Sequence, residues 1–149
     1  MENKYHNEKV VDDNITFDSK KESIRYAYLK LLIRAQEIPS FQYHVKYVLQ
    51  ESFENSQGVH RAAITYTPDF LITNKDGSVY AEDVKGSREI MTPLFSVKQK
   101  LFEKRYPDIP LKILEYKNKK WIEITKKRLK DENSAHVSRK SKTAEKIQL

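Results

Sequence analysis

The chain has no cysteine, which excludes disulfides, thiolate zinc sites and a cysteine nucleophile. Glycine is nearly as scarce. Gly58, Gly77 and Gly86 are too scattered to make a glycine-rich nucleotide loop. No apolar run approaches the roughly 20 residues that a membrane-spanning helix needs. The start, Met1-Glu2-Asn3-Lys4, has no apolar stretch behind it, so no signal peptide is expected, and a cytoplasmic protein without membrane contact is. No segment repeats. An acidic surplus is also missing: 28 Lys and Arg against 21 Asp and Glu leave a net charge of +7. That balance favours a polyanionic partner. A chain of 149 residues suits one domain with a real core and is too short for two comfortable ones.

What the chain does contain centres on Thr67-Pro68-Asp69-Phe70 and Glu82-Asp83-Val84-Lys85. Between them Leu71-Ile72-Thr73 and Val79-Tyr80-Ala81 bracket Asn74-Lys75-Asp76-Gly77-Ser78. Two apolar, β-branched runs around an Asp-Gly turn predict a β-hairpin. Asp69 then lies on the incoming strand, and Asp83 and Lys85 leave the same face of the outgoing one. Charges of this kind are common on a solvated hairpin edge, and that is one reading. In the other, the two carboxylates approach each other. Two unit charges about 4 Å apart repel by roughly 4 kcal/mol at an effective dielectric near 20, a cost that a hard divalent cation offsets. Mg²⁺ takes oxygen ligands, often one or two carboxylates plus a substrate phosphate. Lys85 is then placed to orient an attacking water or to stabilise charge developing on phosphate.

The flanking chain reads as follows. Residues 1–14 form an N-terminal arm, polar over its first nine residues, with His6 as a surface histidine. Val10-Val11 and Ile15-Thr16-Phe17 are placed for a small hairpin. Ser19 followed by Glu22 is a capping box, opening a helix expected to run to about Glu37, before Pro39. Glu22 aligns with Tyr26, Leu29 and Ile33 on the apolar stripe, so it either caps the helix or points a carboxylate at the core. Residues 41–49 are rich in strand formers and read as one strand. His44 within it either reaches substrate or is a half-buried, hydrogen-bonded histidine. Pro68 marks an edge or a bend. A second helix is expected from Pro93 to about Tyr106, with Leu94, Phe95, Leu101 and Phe102 as its apolar arc. Lys98 falls inside that arc, where it snorkels outward or reaches a negative centre. Residues 111–115 and 121–124 are further strands. The domain is expected to span 15–125. Beyond it, residues 126–149 are a basic tail, either a solubilising terminus or a phosphate-binding arm.

The pair Pro68-Asp69 and Asp83-Val84-Lys85 resembles the motif of the PD-(D/E)XK nuclease superfamily, and the order of elements over residues 15–125 is similar to its core. Phe17-Asp18-Ser19-Lys20-Lys21-Glu22 also looks like the start of the first helix in small phage endonucleases of that superfamily. The resemblance implies an α/β fold with a mixed central sheet and a restriction-endonuclease-like core of helix, three-stranded meander, helix and strand. It implies an Mg²⁺- or Mn²⁺-dependent DNA endonuclease that hydrolyses phosphodiesters, similar to Holliday junction resolvases, encoded by a phage or prophage in a bacterial host. Asp69 and Asp83 would ligate the metal, with the Val84 carbonyl beside them, and Lys85 would act on the water or the phosphorane-like charge. Glu22 would hold a water or a second cation, and Lys98 would neutralise phosphate. Branched DNA is the expected substrate, and a homodimer the economical arrangement for cutting two strands. Two other classes remain open: a non-catalytic DNA-binding protein, or a phage adaptor protein, each retaining the nuclease fold.

Overall fold

The computed structural model of the chain describes residues 10–12, 14–86 and 91–125. The polar start with His6, most of the loop expected after Gly86 and the basic tail 126–149 lie outside the described residues. β1 (Val10–Asp12) and β2 (Ile15–Phe17) form the expected hairpin, Val10 opposite Phe17. It straddles the boundary expected at residue 15.

α1 (Lys20–Arg34) starts where Ser19 accepts a hydrogen bond from the Glu22 N–H at 3.2 Å. The helix ends three residues sooner than the sequence suggests, for a local reason. Gln36 takes a left-handed conformation (φ 58°), and the Glu37 and Gln36 N–H groups turn back to the Leu32 and Ile33 carbonyls at 2.9 and 3.0 Å. These two bonds close a Schellman motif. Ile33, expected on the apolar stripe, therefore sits in the last turn of α1 and is 37% exposed.

The expected strand 41–49 is two strands in different sheets. β3 (Ser40–Tyr43) and β4 (Tyr47–Gln50) are separated at His44, whose φ of 55° breaks the extended run. The His44 N–H donates to the Asp69 carbonyl at 3.0 Å, so a tertiary bond holds the break. Short strands β5 (Phe53–Glu54), β6 (His60–Arg61) and β7 (Ile64–Tyr66) follow, with β5 pairing β6 and β4 pairing β7. Pro68 is fully buried where the chain leaves β7 for the central sheet.

The central sheet has five strands in the order β11 (Lys120–Glu123), β10 (Leu111–Lys117), β9 (Val79–Lys85), β8 (Phe70–Thr73), β3. β9 and β10 run parallel, joined through α2 (Pro93–Arg105), and the other pairs are antiparallel. The β8–β9 hairpin forms as expected, with Gly77 at φ 83° in its turn, a conformation that suits glycine. The fold is therefore α/β with a mixed central sheet. Leu29, Phe70, Ile72 and Val84 pack together on the α1 side of the sheet, and Ala81, Phe95, Phe102 and Ile113 pack together on the α2 side. β9 is buried from Ala81 to Val84, covered on both faces. Its even and odd residues thus meet different helices, which sends Glu82 one way and Asp83 the other. No described helix is long and apolar enough to cross a membrane.

Candidate active site

Six residues singled out from the sequence, Glu22, Asp69, Asp83, Val84, Lys85 and Lys98, line one open cavity of about 330 Å³. They arrive from four elements. α1 supplies Glu22, the segment entering β8 supplies Asp69, β9 supplies Asp83 to Lys85, and α2 supplies Lys98. Phe70 pairs with Glu82, and one further step of that register sets Asp69 against Asp83.

Asp69 Oδ2 accepts the Val84 N–H at 2.6 Å. This bond ties the incoming and outgoing halves of the motif together beyond the last ladder pair. Asp83 is buried, its Oδ2 accepting from the Tyr66 hydroxyl at 2.5 Å and its Oδ1 lying 2.6 Å from Lys85 Nζ. Burial pushes the Asp83 carboxyl up and the nearby Asp69 charge pushes it further, while Lys85 and Tyr66 act the other way. Lys85 Nζ also stands 3.9 Å from the centre of the Phe95 ring, so its ammonium is held between a carboxylate and an aromatic face. The same carboxylate raises the Tyr66 hydroxyl, after burial as the first cause, keeping that group a proton donor.

Of the capping box expected at Glu22, the Ser19 half forms, while the Glu22 carboxylate turns to side-chain hydroxyls and lines the cavity. The Glu22 N–H is capped by Ser19, while its carboxylate accepts from the Ser19 hydroxyl at 3.0 Å and the Tyr43 hydroxyl at 3.2 Å. Burial, and next the Asp69 charge, lift it to about 7. His44 Nε2 lies 3.8 Å from both Glu22 Oε2 and Asp69 Oδ1, its ring stacked on Tyr43 at 3.7 Å. Its imidazole is shifted upward, chiefly by Asp69.

Lys98 does line the cavity, but the arc proposed around it changes. Phe95 and Phe102 are buried, whereas Leu94 is 65% exposed at the cavity wall. Gln99 faces away, bonding Glu103 at 3.0 Å.

Tyr43, His44 and Tyr66 are the site residues that sequence reasoning misses or leaves undecided. No local spacing links Tyr66 to Asp83 or Tyr43 to Glu22, because both contacts cross between sheets or layers. Asp69 and Asp83 both line the cavity and present carboxylate oxygens to it, the donor type that a hard cation takes. Separately, Asp18, Glu22 and His44 bring ligand atoms within 4.8 Å of one another.

A family model described as a protein of unknown function, DUF1064, matches residues 2–123. No curated protein matches the chain.

Proposed function

We propose that this chain, which belongs to the DUF1064 family of proteins of unknown function, is a divalent-metal-dependent DNA endonuclease with a restriction-endonuclease-like core of the PD-(D/E)XK kind. The observation that carries the reading is the convergence of Asp69, Asp83, Lys85, Glu22 and Lys98 on one cavity. The chain order of α1, the β3–β8–β9 meander, α2 and β10 is consistent with such a core. Burial first, and the Asp69 charge next, push the Asp83 carboxyl up; a cation beside the two carboxylates would offset that cost, and carboxylate oxygen is the donor a hard cation takes.

Asp69 and Asp83, with the Val84 carbonyl, would hold Mg²⁺ or Mn²⁺, which when bound supplies Lewis-acid polarisation and lowers the pKa of a bound water. Lys85 would orient the attacking water toward phosphorus and share the charge that develops as the new P–O bond forms and the bridging P–O bond breaks. Lys98, which lines the same cavity from α2, offsets the phosphate charge. Glu22 holds a further water or a second cation through the oxygens that Ser19 and Tyr43 orient. The net charge of +7 favours a polyanionic substrate, as DNA is.

Incubating the purified protein with labelled DNA, in Mg²⁺ and in EDTA, tests this. Metal-dependent cleavage supports the nuclease reading. Binding without cleavage favours a non-catalytic DNA-binding protein, and the absence of both favours an adaptor.

A further inference from the structure

Arg25 and Glu82 form a buried ion pair that the reaction does not use. Arg25 Nε donates to Glu82 Oε2 at 2.8 Å, and Nη2 to Oε1 at 2.5 Å. Both residues are buried, and the guanidinium also lies 5.1 Å from the centres of the Tyr28 and Trp121 rings. Such a pair is a weak source of stability, since apolar residues of similar volume often serve as well. What a two-point bond does give is a fixed relative position.

The two positions are telling. Arg25 lies one turn after Glu22 on α1, and Glu82 precedes Asp83 on β9. On the other side of Glu22, Lys21 Nζ donates to the Gly86 carbonyl at the end of β9. Lys21 meets residue 86 and Arg25 meets residue 82, so the first turns of α1 are tied to β9 at two points that bracket Glu22 and flank Asp83 to Lys85.

We infer that Arg25, through its buried bond to Glu82, is a positioning residue that sets α1 against β9 and so holds the Glu22 carboxylate at the cavity. Its effect on rate rests on the nuclease reading; its effect on the placement of Glu22 does not.

The test uses Arg25→Met/Glu82→Leu, which removes both charges together, and Arg25→Lys, which keeps the charge but loses the fork. In metal-free protein, the ¹³C shift of the Glu22 carboxyl reports whether Ser19 and Tyr43 still bind it. Both variants are expected to move that shift toward the value of a solvent-exposed glutamate, while thermal melting stays cooperative. On DNA with Mg²⁺, kcat should fall on the order of a hundredfold, as for a displaced catalytic group, with KM changed less than about twofold. In a Glu22→Gln background the same substitutions should cost no further rate.

An unmoved Glu22 carboxyl in folded Arg25→Lys overturns the inference whether or not the wild type cleaves DNA. A rate loss that adds in full to that of Glu22→Gln also overturns it. A wild type that cleaves nothing, with the Glu22 shift moving as expected, removes the nuclease reading alone.

Discussion

Lys85 Nζ sits 2.6 Å from Asp83 Oδ1, on the same face of β9. The lysine partly neutralises a carboxylate that burial and Asp69 both push up. The two are nevertheless separable. Asp83→Asn should abolish Mg²⁺-induced stabilisation, which for a ligand at about 100 times its Kd is worth about 2.7 kcal/mol. Lys85→Ala should keep a measurable Mg²⁺ shift in thermal melting and lose cleavage by about 10²- to 10³-fold, the scale of a missing charge-stabilising donor. Equal melting shifts in wild type and Asp83→Asn would remove Asp83 from the ligand set.

Glu22 makes stability depend on pH with a definite sign. Its carboxyl is raised from 4.5 to about 7 in the folded protein. Between those values the folded state keeps a proton that the unfolded chain releases, so stability falls as pH rises from about 4.5 to about 7. Glu22→Gln cannot titrate. Its stability relative to wild type should therefore rise across that window in urea melts, with any loss of the cap below about 1 kcal/mol. A constant difference at pH 5 and pH 7 would contradict the raised carboxyl. A large fall in cleavage rate from the same variant is the expected sign of a catalytic Glu22.

Removing residues 126–149 should weaken DNA binding and spare the chemistry. Every phosphate that the truncated chain no longer neutralises should flatten the log–log salt dependence by roughly 0.9 on duplex DNA. Titrations of the full and truncated chains at several salt concentrations give the two slopes, and identical slopes would mean that this segment does not touch DNA.

Among the described residues the central sheet and its two helices make up the body of the fold, and on the nuclease reading selectivity is expected from DNA shape and deformability. On that reading, a homodimer that prefers a four-way junction to linear duplex is expected, because cutting two strands takes two sites or two visits. Light scattering and cleavage of junction, flap and duplex at matched salt check it, and equal rates from a monomer would refute it.

Much of this arrangement can be read in the chain because it is local. The Asp-Gly turn and its flanking β-branched runs determine the β8–β9 hairpin, and strand alternation then puts Asp83 and Lys85 on one face. Ser19 and Glu22 mark the start of α1. The misreadings have tertiary causes. Residues 41–49 look like one strand, yet His44 turns out of it to bond the Asp69 carbonyl. Leu94 and Ile33 keep helical phase with buried neighbours but lie in terminal turns with little packed against them. Glu82 passes in the sequence for a mere neighbour of Asp83, although a carboxylate inside a strand covered on both faces demands a buried partner. Arg25, in phase with Glu22 on α1, is the residue able to supply it.

The most direct measurement is single-turnover hydrolysis of end-labelled DNA by wild type and Asp83→Asn, each in Mg²⁺ and in EDTA. The site predicts new phosphomonoester and hydroxyl ends from the wild type in Mg²⁺ and none from the other three reactions. Cleavage of equal rate by Asp83→Asn, cleavage that persists in EDTA, or intact DNA with folded wild type in both Mg²⁺ and Mn²⁺ would contradict it.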